Sequence, residues 1–292
     1  MSEKNTSAND DSPLIFVEIL KEKYGKELRA VILYGSWIRG RRDTVIDFYV
    51  VLDSYKPLNS RLEASLNHLL APNVYNMTVL QGEETIATKY ATVSAEVFEK
   101  SICHDFHPYF WARFAQPSEI LYARNEHIRT ELLELFNIAT KRLIINVLPL
   151  LPKAFSINEL WEKAFELTYR CELRSESENT PKILAENMHQ ISNFLAKDCG
   201  LEFSENIIYR TGNDSSRSTK ILWVFRTLVG KSLSALRLFK APFTFENPLD
   251  YLVWKIERHT GIRETPTDLQ RKYPLLFSWT LLWKIFKRGG FR

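Results

Sequence analysis

The chain has 292 residues, 45% of them hydrophobic and 25% charged, with a formal net charge of +4. That is the composition of a folded globular chain, which excludes a disordered or fibrous one, and the length points to two packed units. No run of about 18 or more apolar residues lacks a charge, so no membrane-spanning helix is expected.

The first residues carry three acids against one Lys and no apolar core. Residues 1–14 therefore read as a short disordered lead, neither a signal peptide nor an Arg-rich transit peptide. Between Leu28 and Leu121 the pattern is mixed. AVILYGS, VIDFYVVLD, NVYNMTVL and SEILYA are β-rich apolar runs and predict four strands. SRLEASLNHLLA and SAEVFEKSI predict helices between them, the second starting after Ser94 as its N-cap. Residues 15–124 thus form an α/β unit.

From Asn125 the period becomes helical, first in HIRTELLELFNIATKRLIINVL, which Pro149 and Pro152 close. A second helix opens after Ser156, where Glu159 three residues on completes a capping-box signature. A third starts at Pro181, a residue suited to a first helical turn. Residues 125–215 make a mostly helical unit, for which a winged-helix-like form is one option. The turn-rich TGNDSSRS separates it from the remainder.

That remainder, residues 216–292, is basic. Arg217 to Arg292 holds 15 Lys and Arg against 5 Asp and Glu, while the preceding part holds 24 against 30. A basic quarter faces something anionic or is simply a solvated face. Three unevenly spaced cysteines, Cys103, Cys171 and Cys199, form neither a zinc-type pair nor a disulfide framework and suit a reducing compartment. The six histidines show no ligand spacing, and no metal-binding role is expected of them.

One constellation carries chemistry. A strand ending in Gly35-Ser36 is followed, about ten residues on, by Asp47 within a second apolar strand. This resembles the arrangement of the nucleotidyltransferase superfamily, whose roles for these residues would be the following. Glycine lets the backbone approach a triphosphate, the Ser hydroxyl and nearby N–H groups bind phosphate oxygens, and the strand carboxylate holds Mg²⁺. The superfamily usually reads Asp-x-Asp on that strand, whereas this chain has Asp47-Phe48-Tyr49. Either the chain is an inactive descendant, or it recruits another carboxylate, with Asp53, Glu119 and Glu172 as candidates.

Several separated segments resemble the mitochondrial-type phosphatidate cytidylyltransferases, the translocator assembly and maintenance family. Tyr34-Gly35-Ser36 stands where that family has Tyr-Gly-Ser-Gly, and Val45-Ile46-Asp47-Phe48-Tyr49 where it has a strand with a single Asp. Lys89 to Ser94 is similar to its Lys-Tyr-Gly-Val-Ile-Ser segment. Tyr109 to Pro117 resembles its Tyr-x-x-Gly-Arg-Leu-x-Lys-Pro segment, with Arg113 kept and Ala112 and Gln116 in place of Gly and Lys. LLPKAFS, then Leu167-Thr168-Tyr169, Glu172, Arg174, Glu178, Asn179 and Lys182 follow in the family's order. The likeness covers roughly residues 30 to 190, and Cys171 and Glu172 depart from the eukaryotic members, which suggests a bacterial homologue.

The resemblance implies an α+β chain, a nucleotidyltransferase-fold mixed sheet followed by the helical domain, that makes CDP-diacylglycerol and pyrophosphate from CTP and phosphatidic acid with Mg²⁺. Asp47 would hold the metal, Lys89 and Arg113 would meet triphosphate charge, and Tyr34, Gly35, Ser36, Lys89, Tyr90 and Ser94 would line the nucleotide. Glu172, Arg174, Asn179 and Lys182 would form the far wall of the cleft. The tail, with Trp279, Trp283, Lys284, Lys287 and Arg288, has the composition of a segment lying on an anionic membrane surface. Together with the resemblance, this implies a protein of the bacterial cytoplasm, peripheral on the inner face of the membrane. A soluble substrate, or a noncatalytic module binding nucleotide or nucleic acid, is the rival reading, with nucleic acid the less expected partner.

Overall fold

The computed structural model describes residues 12–42, 44–55, 61–81, 84–173, 180–186, 188, 198–199, 201–204, 207–210, 217–244, 264–272, 280, 283, 284 and 287. The first helix, α1 (Ser12–Tyr24), begins inside the stretch read as a disordered lead. Phe16, Val17, Leu20 and Tyr24 recur at helical spacing and are all buried. Each buried Phe, Val or Leu contributes about 1.5–3 kcal/mol, enough to dock a helix whose sequence carries no other strong signal.

A five-stranded mixed sheet follows: β1 (Leu28–Tyr34), β2 (Ile46–Leu52), β3 (Asn73–Gln81), β4 (Glu84–Ser94) and β5 (Glu119–Ala123). Its order is β3-β4-β2-β1-β5. β2 and β4 run parallel, and every other neighbouring pair runs antiparallel. The four strands read from the sequence are present. β4 was not among them, because Ala87, Thr88, Lys89 and Ala91 dilute its apolar content. Pairing on both sides, with β2 and β3, makes it a strand.

α1 covers one face, where Phe16, Leu20, Val31, Phe48, Val50 and Tyr90 form one apolar cluster. The other face is covered by α3 (Ala95–Cys103), α4 (Tyr109–Phe114) and α5 (Glu126–Val147), with α2 (Arg61–Leu69) between β2 and β3. Ser94 caps α3 by accepting from the Val97 N–H, as its position before the apolar run implied. Asn125 does the same for α5, accepting from the Ile128 N–H at 2.9 Å.

Beyond α5 the chain forms α6 (Ile157–Tyr169), α7 (Thr180–Glu186) and a small antiparallel sheet of β6 (Ala154–Phe155), β7 (Leu201–Ser204) and β8 (Ile207–Arg210), ordered β6-β8-β7. The Ser156 and Glu159 capping box is complete at the start of α6. α8 (Arg217–Thr244) is the longest helix among the described residues, and a short helix covers Asp268–Lys272. α8 docks through Trp223, whose indole N–H donates to the Asn146 carbonyl at 3.0 Å. Arg226 donates to the Phe106 carbonyl and to Asn146 Oδ1, Arg237 to the Ala71 carbonyl, and Lys240 to the carbonyls of Leu70 and Pro72. Part of the basic quarter is therefore consumed inside the fold, on backbone oxygens. The second apolar cluster is continuous from Ile32 and Tyr49 in the sheet through Leu143 of α5 to Trp161, Ile208 and Trp223.

Candidate functional site

Three neighbouring strands set the site. Antiparallel register places Asp47 of β2 beside Tyr34 of β1, and parallel register places it beside Lys89 of β4. Directly paired residues share a sheet face, so the three side chains lie in a row on the face toward α4. Lys89 Nζ is 3.1 Å from Asp47 Oδ1. Oδ1 is buried, and this ammonium is its charged neighbour.

At the end of β1 the chain leaves the sheet at Gly35, with φ +86°. A Cβ at this position would sit 3.0 Å from Asp47 Oδ2. The absent side chain therefore leaves room beside the carboxylate. The turn after it is drawn back on itself by the Ser36 carbonyl, which accepts from the Arg39 and Arg41 N–H groups at 3.1 and 3.2 Å. Ser36 Oγ lies 2.8 Å from Thr44 Oγ1 across the loop. Arg39, Arg41 and Arg42 crowd this loop, and Arg42 stacks on the Trp37 ring. The signal for them was the basic run directly behind the Gly-Ser pair.

Arg113 of α4 closes the row from above. Its guanidinium lies 5.3 Å from the Tyr34 ring centre and 4.9 Å from that of Tyr109, with one terminal nitrogen 3.5 Å from Glu172 Oε2. Its Nε is buried without a partner. Tyr49 packs against Tyr34 with ring centres 4.9 Å apart and planes tilted by 48°, and its hydroxyl lies 3.4 Å from that of Tyr109. Burial raises the pKa of both Tyr34 and Tyr49, so both phenols are neutral. Burial alone would lower Lys89, but Tyr34 and Asp47 outweigh it and hold the ammonium above its ordinary value.

The structure therefore brings Tyr34, Gly35, Ser36, Asp47, Lys89, Arg113 and Glu172 together. It does not bring Tyr90 or Ser94 there. Tyr90 follows Lys89 and so points to the opposite face, where it packs on Tyr75 and accepts from Lys23 at 3.0 Å. Ser94 is occupied as the α3 cap, five residues or about 16 Å farther along the strand. Lys182 lies on the exposed side of α7 and faces Glu162 at 3.9 Å. Arg174, Glu178, Asn179, Trp279 and Arg288 lie outside the described residues. Trp283, Lys284 and Lys287 are exposed, with the Lys287 ammonium 5.7 Å above the Trp283 ring.

Of the alternative carboxylates, Asp53 ends the far side of β2, paired with Arg124 at 2.5 Å and Arg29 at 3.3 Å. The Arg124 hydrogen bond, ahead of that from Arg29, lowers its pKa. Glu119 pairs with Leu33 and so lies on the face away from Asp47. Glu172 reaches the site, but through Arg113.

No group of three or more His, Cys, Asp or Glu able to hold a metal occurs among the described residues. Asp47, a buried carboxylate whose charged neighbour is the Lys89 ammonium, still fits Mg²⁺, which commonly takes one or two carboxylates and completes its shell with water and substrate phosphates. Asp47 is the residue that would hold it.

No protein-family model matches the chain, and no curated protein matches it significantly in sequence. Among solved structures, a nucleotidyltransferase-like protein from Exiguobacterium sibiricum 255-15 is similar over 96% of this chain and 90% of that one, at 12% identity and a TM-score of 0.26.

Proposed function

We propose that this chain is a nucleotidyltransferase that transfers the cytidylyl group of CTP to phosphatidate, giving CDP-diacylglycerol and pyrophosphate. The observation that carries the nucleotidyl-transfer reading is the close approach of the Gly35 backbone to Asp47, where a Cβ would lie 3.0 Å from Oδ2, with a cation from the next strand in contact with the same carboxylate. CTP and phosphatidate enter from the resemblance in the β1, β2 and β4 segments.

In this reading a phosphatidate phosphate oxygen attacks the α-phosphorus of CTP. The bond from that phosphorus to the bridging oxygen of the β-phosphate breaks, and pyrophosphate leaves with its electron pair. Such reactions demand mainly positioning and neutralisation of charge. Backbone at Gly35 and Ser36 cradles the phosphates, and the Gly35 side leaves no Cβ in the way. Lys89 and Arg113 face the negative charge that builds on the departing pyrophosphate. The ring sandwich of Tyr34 and Tyr109 keeps the guanidinium of Arg113 in place, while Glu172 orients it from the helical part. Bound Mg²⁺ would supply further charge neutralisation at the phosphates.

The test is pyrophosphate release from each nucleoside triphosphate with Mg²⁺, with and without phosphatidic acid in mixed micelles. Release from CTP that depends on phosphatidic acid is expected. Release that ignores the lipid and prefers ATP points to a soluble acceptor, and nucleotide binding without release ends the catalytic reading.

A further inference from the structure

Among the described residues, α8 is buried along one face. Trp223, Arg226 and Gly230 lie on its buried side, and at 3.6 residues per turn the opposite side carries Ile221, Val224, Phe225, Leu228 and Leu236. These are exposed, Val224, Phe225 and Leu228 by 59, 55 and 58%. Scattered apolar residues at a surface are ordinary, whereas Ile221, Val224, Phe225 and Leu228 form a contiguous patch over two turns, with Leu236 farther along the same side, and such a patch marks a contact. The helix holds six cations, Arg217, Lys220, Arg226, Lys231, Arg237 and Lys240, and no acid. Three of them turn inward to the fold, and Arg217, Lys220 and Lys231 are exposed beside the patch.

We propose that this face of α8 lies in the surface of an anionic lipid bilayer. The apolar patch sits at the acyl boundary, with Arg217, Lys220 and Lys231 level with the lipid phosphates. Charge selects this occupant. A second copy seated on the same face would bring acid-free, basic helices together, whereas anionic headgroups compensate the exposed cations. The helix lies along the surface and does not cross it, since no described helix is long and apolar enough to span a membrane. The proposal deepens the reaction above, resting on it only for the reason to be there, and its test reads binding without catalysis.

The full-length protein is sedimented with vesicles of phosphatidylcholine alone or with about 30% phosphatidylglycerol, across ionic strengths bracketing the physiological one. Wild type is expected on the anionic vesicles and not on neutral ones, with binding reduced but not abolished by salt. Phe225→Glu combined with Leu228→Glu is expected to weaken binding at least about tenfold with unchanged circular dichroism. Lys220→Glu combined with Lys231→Glu gives the same loss and serves if the first pair fails to fold. Pyrophosphate release from CTP with a micellar short-chain phosphatidate should survive both pairs. Vesicle binding by a protein without any such turnover supports this surface while sinking the reaction. Wild type that ignores anionic vesicles, or variants that bind as wild type does, would overturn the proposal. So would a wild-type dimer that the Glu pair converts to monomer, because a second copy would then be the occupant.

Discussion

At Gly35 the chain turns out of β1 with φ +86°, and the space its missing Cβ leaves is bounded by Asp47 Oδ2 at 3.0 Å. Gly35→Ala should therefore act twice. The positive φ costs about 1–2 kcal/mol, and the methyl presses on the carboxylate that the site uses. A lower melting temperature and reduced turnover are expected together. Asp47→Asn separates the two effects, because it keeps shape and removes charge. We expect turnover to drop by about 10²-fold or more with unchanged circular dichroism, and near-normal turnover would remove Asp47 from the site. His107 makes a different residue-scale prediction. Burial first, then Arg237 of α8, pushes its pKa down to about 4; Arg142 of α5 pushes the same way, while Asp105 and Glu172 oppose. It also accepts from the Tyr109 N–H. The unfolded chain binds a proton near pH 6.5 that the folded chain refuses. Stability is untouched above that pH, falls between 6.5 and about 4, and levels off below, losing up to about 3 kcal/mol. Urea midpoints of wild type and His107→Gln across this range should converge at neutral pH once offset for the substitution itself. Parallel pH slopes would show that His107 is not the group responsible.

The elements were announced by the sequence in proportion to how local their cause is. Ser94, Ser156 and Glu159 mark helix starts by hydrogen bonds that close within three residues, and all three do so in the structure. β4 has no such local cause. Its residues are strand-like because β2 and β3 flank them, and its register then decides that Lys89, not Tyr90, meets Asp47. α8 docks under another non-local condition. A Cβ at Gly230 would lie 2.3 Å from the Cys171 carbonyl oxygen, a backbone atom that cannot rotate away. Alanine gains about 1 kcal/mol in an isolated helix, but overpacking costs about 1–3 kcal/mol. Gly230→Ala is expected to lower the urea midpoint. A rise would mean that α8 approaches α6 less closely.

Across the whole molecule, one apolar cluster links the sheet to the helical part, with Trp111, Trp161 and Trp223 inside it. Unfolding of a shared core is cooperative across the parts that share it. Tryptophan fluorescence and far-ultraviolet circular dichroism should therefore trace one coincident urea transition, despite the length of the chain. Two separated transitions would show that the sheet and the helices are stabilised independently. Charge behaves at this scale as a matter of placement. Arg226, Arg237 and Lys240 count toward the basic excess of the C-terminal quarter, yet each is directed at a backbone carbonyl. Composition cannot separate such cations from those facing solvent.

The sequence by itself determined four strands of the main sheet, the caps of α3 and α6, and the Gly35, Ser36 and Asp47 constellation, because periodicity, capping and a Gly-Ser pair are local properties of the chain. It also named Lys89, Arg113 and Glu172, which the resemblance placed in order along the chain but not in space. Only the tertiary structure decided that Lys89 touches Asp47, that Arg113 is clamped between Tyr34 and Tyr109, and that Asp53 and Glu119 are excluded. Strand register fixes which face a side chain occupies, and a shift of one residue reverses it. Register is settled by partners distant in sequence, and so is the choice of which basic residues turn inward.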